Sequence, residues 1–471
     1  MKNKSKFNSI ILLTSVLCMS ISGCKKFVDI DAPIDSITTG SAFETDAKTN
    51  SVIRGLYLNM VKTTGYAFGG PVSVGLGVSA DELQITSPTN LYQEFYTNTV
   101  SSANANVAGY YWGPLYNSIY TANAAVENIP GSSGMSDYGK KQYLAEARFI
   151  RAANYFYLVN LFGDVPLVTG TDYRENAVLP RSSIDQVYGL IISDLTFARE
   201  NLASGYLGIT RLRANSYAAT ALLARVYLYR GEWAKAEELA TEVIAGKNSS
   251  GAQLYALEPV LNNVFLLSSK EVLLQLQQPA TNLYTWDGFS FIQSAVPNFQ
   301  LTDKLFESFA AGDARKTSWI KTYTSTTGGV SKSYYSPFKY KISTGSGTAK
   351  TESLVFLRLG EVYLIRAEAM AQQNKLNDAI SDLDLIRKRA GLVTPTPAGT
   401  PQGDLLALIA RERYIELFAE LGHRWLDLKR TRQADAVLAA KPNWRPEAKL
   451  FPIPKTEIED DPFLTQNPGY N

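Results

Sequence analysis

Apolar residues recur at every third or fourth position over much of the chain, which is the spacing of a helix with one buried face. The clearest example is the stretch 141–162, where Gly163 and Pro166 supply the signals that end a helix. The same spacing predicts further helices at 43–61, 111–129, 183–202, 404–421 and 424–431. The pattern therefore predicts a mostly α-helical protein.

Two pairs of these apolar stretches are separated only by short turns, which predicts helical hairpins. The first pair is 214–229 and 234–244, and the second is 356–371 and 376–389, with Gly391 as the final cap. Both are rich in alanine and other small residues, which allow two helices to approach closely. Helical hairpins of this size are typical of tetratricopeptide (TPR) repeats, whose period is about 34 residues. We therefore expect a single large globule on a TPR-like scaffold of helical hairpins.

Two long segments, 63–109 and 251–351, break the helical pattern and are rich in aromatic and polar residues. The run at 271–277 is typical of a β-strand, whereas glycine, serine and threonine fill the end of the second segment, 322–351. These segments are predicted to be long, loop-rich insertions that carry short strands, with 322–351 irregular.

The N-terminus has the three parts of a secretory signal peptide. Three lysines precede the apolar run 10–21, and Ser22-Gly23-Cys24 follows it. A membrane-spanning helix needs about 20 apolar residues, so this run is too short to span a bilayer. The ending resembles a bacterial lipobox, which implies cleavage after residue 23 and a lipid on Cys24. The alternative is an ordinary signal peptide with an incidental cysteine.

The predicted organisation is thus a signal peptide at 1–23 followed by one structural unit, 24–471. Within that unit we expect an N-terminal region at 24–240 and a C-terminal region at 241–471.

Charge and rare residues narrow the possible functions. The formal net charge is +2, and loss of the signal peptide would remove three lysines and no acid. A nearly neutral chain argues against a nucleic-acid partner. The only cysteines are Cys18, which would be removed, and Cys24, so no disulfide is expected. The single histidine, His423, excludes zinc sites built on several histidines, and we expect it to pack at a helix start.

A glycine motif is the first of two weak signals for other chemistry. Gly75 to Ala80 matches the dinucleotide-binding pattern G-x-G-x-x-A. That motif requires a strand before it and a long helix after it, and neither is predicted here. We expect a tight loop flanked by aromatic residues instead.

Acidic residues give the second signal, because a glycosidase needs only two suitably placed carboxylates. Glu361 and Glu368 share one predicted helix with arginines, as do Glu412, Glu416 and Glu420. Ion pairing at helical spacing is the favoured explanation for both sets.

Aromatic side chains in the two insertions suggest a sugar-binding site. The faces of sugar rings stack on Trp and Tyr, while their hydroxyl groups bond to polar side chains. The segments 81–96 and 284–291 carry this mixture. The candidate ligand-binding residues are Asp81, Tyr92, Phe95, Tyr96, Tyr284, Trp286 and Phe289. The alternative for each ring is a place in the core.

Several sequence segments in order resemble the SusD/RagB family of nutrient-uptake lipoproteins from Bacteroidetes. These segments are 146–167 (EARFIRAANYFYLVNLFGDVPL), 218–229 (AATALLARVYLY), 357–369 (LRLGEVYLIRAEA), 386–391 (IRKRAG), 411–430 (RERYIELFAELGHRWLDLKR), 451–457 (FPIPKTE) and 466–470 (QNPGY). The resemblance implies a mostly helical, TPR-like fold held at the outer membrane and facing outward. It also implies that the protein acts as a hinged lid over a SusC-like TonB-dependent transporter. The matching motifs belong to the scaffold, so they transfer no ligand-binding residue; Asp81-Glu82 corresponds to a recurring acidic step near the ligand loops.

We therefore expect a lipid-anchored, non-catalytic binding protein of the outer membrane that captures oligosaccharides for import, without a cofactor or metal. The nearest alternative is a peptide-importing member of the same family. The hypotheses from different functional classes are a surface glycosidase and a structural TPR-like adaptor.

Overall fold

The computed structural model describes residues 39–62, 66–208, 210–279, 283–345 and 350–470. The chain divides after Ala42 into two units, and helix α1 (Thr39–Ala42) is the described part of the first. The predicted signal peptide and the lipidated Cys24 lie outside the described residues. The remaining described elements belong to the second unit, which begins at Phe43.

Helices dominate the second unit, and about 51% of the described residues are helical. The helices of the N-terminal half are α2 (Asp46–Asn59), α3 (Pro71–Ser79), α4 (Gln93–Tyr96), α5 (Gly113–Asn128, preceded by a π-helical turn at Val107–Trp112), α6 (Asp137–Phe162), α7 (Tyr173–Asn176), α8 (Ile184–Asn201), α9 (Ser216–Arg230) and α10 (Trp233–Ile244). Those of the C-terminal half are α11 (Trp286–Phe291), α12 (Asp303–Ser308), α13 (Ala314–Ser318), α14 (Leu359–Gln372), α15 (Leu376–Arg389), α16 (Gln402–Glu416), α17 (His423–Arg430), α18 (Ala434–Leu438) and α19 (Lys455–Asp460), with 3-10 turns at Leu261–Asn263 and Pro446–Lys449.

The strands are short and form antiparallel pairs. They are β1 (Leu83–Ile85), β2 (Val165–Pro166), β3 (Arg181–Ser182), β4 (Val272–Leu276), β5 (Phe299–Leu301), β6 (Ile320–Thr327), β7 (Val330–Pro337) and β8 (Leu354–Arg358). The pairs are β1 with β5, β2 with β3, β4 with β8 and β6 with β7. The mostly α, TPR-like fold class with inserted short strands is thus confirmed.

Local caps explain where the long helices begin and end. The hydroxyl of Ser183 accepts a bond from the Gln186 backbone N–H, and the Gln186 side chain accepts from the Ser183 backbone N–H. This capping box starts α8 at the predicted position. Gly163 and Gly391 follow α6 and α15 with positive φ angles of 74° and 86°, which an L-residue rarely adopts.

The predicted hairpins pack against one another to form the core. Helix α9 packs on α10, α10 on α14, and α14 on α15 and α16. Fully buried Leu364, Leu383 and Ile409 join these last three helices in one apolar cluster.

Three local predictions were wrong. The glycine-rich segment 75–80, expected as a loop, belongs up to Ser79 to helix α3, which is buried on all sides and so lacks an amphipathic signature. The segment expected to begin a helix at Phe356 is strand β8 up to Arg358, because it pairs with β4. Most of 322–337, expected to be irregular, lies in the β6–β7 hairpin, whose turn is Gly328-Gly329 with φ angles of 59° and 80°.

Buried ion pairs connect elements that are distant in sequence. Arg225 of α9 makes two bonds of 2.6 Å to the carboxylate of Glu361 on α14. The guanidinium of Arg358 bonds to Glu271, Glu416 and Glu420 at 2.7–2.9 Å. Glu361, Glu416 and Glu420 are ion-paired, but the predicted spacing within one helix is wrong here, because these arginines come from other elements.

His423 begins α17 and is buried, as predicted. Burial, with the positive charges of Arg225 and Arg413, lowers its pKa to about 4, although the charge of Glu361 opposes this shift. The imidazole is therefore neutral at physiological pH. Within the described residues, no helix combines the length and apolar character needed to cross a membrane.

Candidate functional site

Helix α3 forms the floor of the candidate site. All nine of its residues are buried, and the Tyr111 hydroxyl donates a 2.7 Å bond to the Pro71 carbonyl at its start. A Cβ atom added at Gly75 would lie 2.0 Å from the Tyr111 hydroxyl and 3.2 Å from the Tyr92 ring. The glycine therefore allows these two aromatic rings to lie directly on the helix.

The first aromatic segment approaches α3 through Tyr92. Its half-buried ring lies 5.7 Å from Phe95 and 5.8 Å from Phe299 of β5, both at edge-to-face angles. Phe95 is fully buried and also packs against Phe451, so it supports the segment and presents no face to solvent. Leu91, at the tip of the preceding loop, is 68% exposed.

Tyr96, the last residue of α4, is half-buried. The ammonium of Lys441 lies 5.1 Å from the centre of its ring and also donates a 2.8 Å bond to the carbonyl of Ala80. This lysine therefore joins Tyr96 to the C-terminal end of α3, and the ring face that it covers is not open to a ligand.

The second aromatic segment is the short helix α11. The Thr285 hydroxyl caps it by accepting a 2.9 Å bond from Gly288 N–H. The rings of Trp286 and Phe289 meet edge to face with centroids 5.2 Å apart. Phe289 is 43% exposed, whereas Trp286 is half-buried, and its buried indole N–H has no hydrogen-bond partner among the described residues. Tyr284 is buried against Gly345, where a Cβ atom would lie 2.5 Å from the tyrosine ring.

Helix α3 brings the two aromatic segments together. A Cβ atom added at Gly70, the residue before α3, would lie 3.3 Å from Trp286 Cβ, while Tyr92 covers the same helix at Gly75. The carboxyl of Asp287 lies close enough to Tyr92 for its charge to raise the pKa of that phenol. We call the set of Tyr92, Trp286 and Phe289 the aromatic platform; Phe289 is exposed, and the other two residues are half-buried.

Asp81, another candidate, lies buried at the end of α3 and does not join the platform. Arg424 binds its carboxylate through two bonds of 2.7 and 2.9 Å, and Lys304 adds a bond of 2.8 Å. Burial alone would raise the pKa of Asp81, but these two cations lower it below its usual range. Burial and the nearby charge of Asp81 raise the pKa of Glu82 to about 8. Asp81 therefore joins the two halves of the chain.

Asp287 is a buried carboxyl directly beneath the platform, and the sequence analysis missed it. Ser73 of α3 is hydrogen-bonded to it, while one of its carboxyl oxygens has no partner in the described part of the chain. Burial raises the pKa of Asp287 to about 7, assisted by the negative charge of Glu420 and opposed by the Ser73 bond. A lone aspartate between a tryptophan and a glycine gives no sequence signal for such burial.

The platform offers an apolar surface to a sugar ring, with the exposed ring of Phe289 and the partly exposed indole of Trp286 on a rigid floor. Among the described residues, no group of three or more His, Cys, Asp or Glu is arranged to hold a metal ion.

Comparisons with known proteins agree with this architecture. A family model described as "SusD family" matches residues 302–470, and one described as "Starch-binding associating with outer membrane" matches residues 26–228. SusD-like protein P2 of Formosa agariphila is 27% identical over an alignment that covers 97% of this chain and 98% of that protein. The starch-binding protein SusD of Bacteroides thetaiotaomicron is 23% identical, with coverage of 72% and 75%. The solved structure of a laminarin-binding SusD-like protein superposes with a TM-score of 0.76 at 24% identity, covering 91% of this chain and all of that chain.

The fold and the platform define a helical TPR-like protein whose inserted loops carry an aromatic surface. The chain belongs to the SusD/RagB family.

Proposed function

We propose that this protein is a cell-surface, glycan-binding lipoprotein that captures oligosaccharides and passes them to a SusC-like TonB-dependent transporter. The observation that carries the proposal is the Trp286–Phe289 pair, in which the exposed ring of Phe289 packs edge to face on a partly exposed indole. The starch- and laminarin-binding relatives support the ligand class, and the family description supports the outer membrane.

Capture would rest on ring stacking. The exposed face of Phe289 would stack on a sugar ring, and the partly exposed ring of Trp286 beside it would extend the apolar contact. Exposed binding of this kind is weak for one sugar but adds along a polysaccharide chain. Closure of the protein over its transporter would then enclose the captured oligosaccharide, and a lipid on Cys24 would keep the protein at the membrane throughout.

The carboxylates near the platform favour binding over hydrolysis. Asp81 is neutralised by Arg424 and Lys304, and Glu82 and Asp287 are buried. A glycosidase requires two carboxyl groups that both reach the scissile bond. We therefore propose a non-catalytic role.

Calorimetric titration of the purified protein with a panel of starch, laminarin and other polysaccharides tests the proposal. We expect at least one to bind, and Phe289→Ala to weaken that binding about tenfold, because an aromatic contact contributes ~1–1.5 kcal/mol. Tyr138→Ala is the matched control, since Tyr138 is a 61% exposed aromatic residue at the start of α6. Binding of peptides but of no glycan would favour the peptide-importing alternative, and release of reducing sugar would overturn the non-catalytic role.

A further inference from the structure

A second concave surface, formed by other residues, lies between α5, the segment 166–177 and the C-terminal segment 457–464. This cleft has a volume of 340 Å³, which is within the range of ~300–1,000 Å³ that is typical of small-ligand sites. Its lining shares no residue with the aromatic platform. Because the two surfaces use separate side chains, each can be tested without disturbing the other.

Contacts within the protein fix the apolar wall of the cleft. The rings of Trp112 and Tyr116 lie 4.9 Å apart at an angle of 52°. The Tyr116 hydroxyl donates a 2.9 Å bond to the Pro166 carbonyl, and the Trp112 side chain is hydrogen-bonded to Glu457. Trp112 is 3% exposed and supports the wall from behind, so a ligand would contact the half-buried ring of Tyr116. This ring is already ordered, which lowers the entropic cost of binding.

The rim of the cleft supplies hydrogen-bonding groups that are suited to hydroxyls. Asn117 is exposed, and its side-chain amide makes no hydrogen bond to any described residue. The Asn176 amide group donates a 3.1 Å bond to the Gly170 carbonyl, which leaves its own oxygen free to accept. The side chains of Glu457 and Asp460 supply acceptor oxygens to this rim.

The charge of the lining limits the ligand to a neutral sugar. Three acids line the cleft, and no lysine or arginine does so in the described part of the chain. The charge of Asp460 already raises the pKa of Glu457, after the larger effect of burial. A uronate or a sulfated sugar would add another negative charge beside these groups, whereas a neutral sugar would donate hydroxyl protons to them.

Exposed aromatic residues continue the apolar surface beyond the cleft. Tyr120 is 49% exposed and lies one helical turn from Tyr116 on the same face of α5. Tyr173 is 75% exposed and begins α7, the helix that also carries Asn176. This arrangement suits an oligosaccharide that is longer than the cleft itself.

We propose that this cleft is a second glycan-binding site, specific for neutral sugars and separate from the aromatic platform. The protein then holds one polysaccharide at two points, or two chains at once. The ligand class follows from the lining of the cleft and does not depend on the function proposed for the platform.

The test uses maltohexaose, laminarihexaose and cellohexaose as probes in calorimetric titrations. Ala177→Phe places a large side chain in the cleft, because Ala177 is an exposed lining residue that follows α7. The matched control is Val178→Phe, since Val178 is 49% exposed and does not line the cleft. A second variant, Asn117→Ala, removes one hydrogen-bonding group from an exposed helix position and should not impair folding.

We expect at least one hexaose to bind to the Phe289→Ala protein, in which the platform is impaired. That binding should fall more than tenfold in combination with Ala177→Phe, fall about two- to tenfold with Asn117→Ala, and be unchanged with Val178→Phe. If no hexaose binds, or if both cleft variants bind as the control does, the second site is overturned. If the single substitution Phe289→Ala abolishes all hexaose binding, the binding belongs to the platform. That result would overturn the second site and leave the proposed function intact.

Discussion

The buried carboxyl beneath the platform leads to a sharp prediction about stability. Asp287 is 1% exposed, and burial raises its pKa to about 7 from an ordinary value of 3.8. The folded protein therefore keeps the proton up to about pH 7, whereas the unfolded chain releases it near pH 4. Between these values unfolding releases one proton, so this group favours the folded state at low pH and loses that contribution as the pH rises.

The magnitude follows from the difference between the two pKa values. A pKa difference of one corresponds to ~1.4 kcal/mol, so a difference of about three sets a ceiling of about 4 kcal/mol on the contribution lost between pH 4 and pH 7. Asp287→Asn removes the titrating group while keeping a side chain of similar shape that still bonds to Ser73. The variant should therefore gain stability relative to the unaltered protein as the pH rises.

Urea denaturation of both proteins at intervals from pH 4 to pH 8 measures the effect. The groups that face Asp287 are Ser73, Glu420, Lys339, Tyr92 and Tyr340. They are present in both proteins, so their own titration largely cancels in the difference. We expect the difference in the free energy of unfolding to rise in favour of Asp287→Asn from pH 4 to pH 7 and then to level off. Parallel pH profiles would refute the assignment of a raised pKa to Asp287.

Three further predictions concern the scaffold and the anchor. Glu361→Gln leaves the buried guanidinium of Arg225 without a charged partner and should reduce the free energy of unfolding by ~3–5 kcal/mol in urea denaturation; an unchanged midpoint would contradict this. Gly422→Ala places a Cβ atom 2.3 Å from a neighbouring leucine, at a position whose φ is 70°, and should destabilise the folded protein by ~1–3 kcal/mol. The control is Gly403→Ala, which has open space around it and should leave the melting temperature unchanged or raise it. Cys24→Ala should fold and bind glycan in solution but fail to support uptake in growth assays, because one or more acyl chains are needed for membrane attachment; full uptake would show that the anchor is dispensable.

Helix positions could be predicted where the local sequence decides them. Helix α8 has a Ser183 cap and an amphipathic pattern, and α6 ends at a glycine and a proline, so the signals for both lie within one segment. The two hairpins on which the TPR-like prediction rested were found for the same reason.

Elements that depend on distant partners were missed or misjudged. Helix α3 is buried on every side because it packs against helices from both halves of the chain, and its own residues carry no amphipathic pattern. The sequence of strand β8 was predicted to be helical. It is a strand because it pairs with β4, which lies about 80 residues earlier in the chain. The Gly328-Gly329 turn is a hairpin signal that the surrounding serines and threonines obscured.

In the candidate site, too, some features follow from the local sequence and others depend on distant parts of the chain. The aromatic composition predicted two segments for a ligand site, and in the structure Tyr92 and Trp286 from these segments both pack on α3; that they bind a ligand stays a prediction. Composition could not separate these from Phe95 and Tyr284, which are buried, because the side of a short helix that faces the core is set by its neighbours. Neither Asp287 nor the cleft beside Trp112 has a local signature, since both depend on elements that converge from separate parts of the chain.

The contrast between α3 and the loops around it has a consequence for how such a protein can diversify. Every residue of α3 is buried, and Gly75 and Gly77 leave no room for a Cβ atom, so few substitutions in the helix are tolerated. Leu91 and Phe289 face solvent beside it and can be exchanged with little effect on folding. Selection for a new nutrient can therefore act on the loop residues while the fold stays constant. A library that randomises only the exposed positions on these loops should yield many folded proteins with altered ligand preferences.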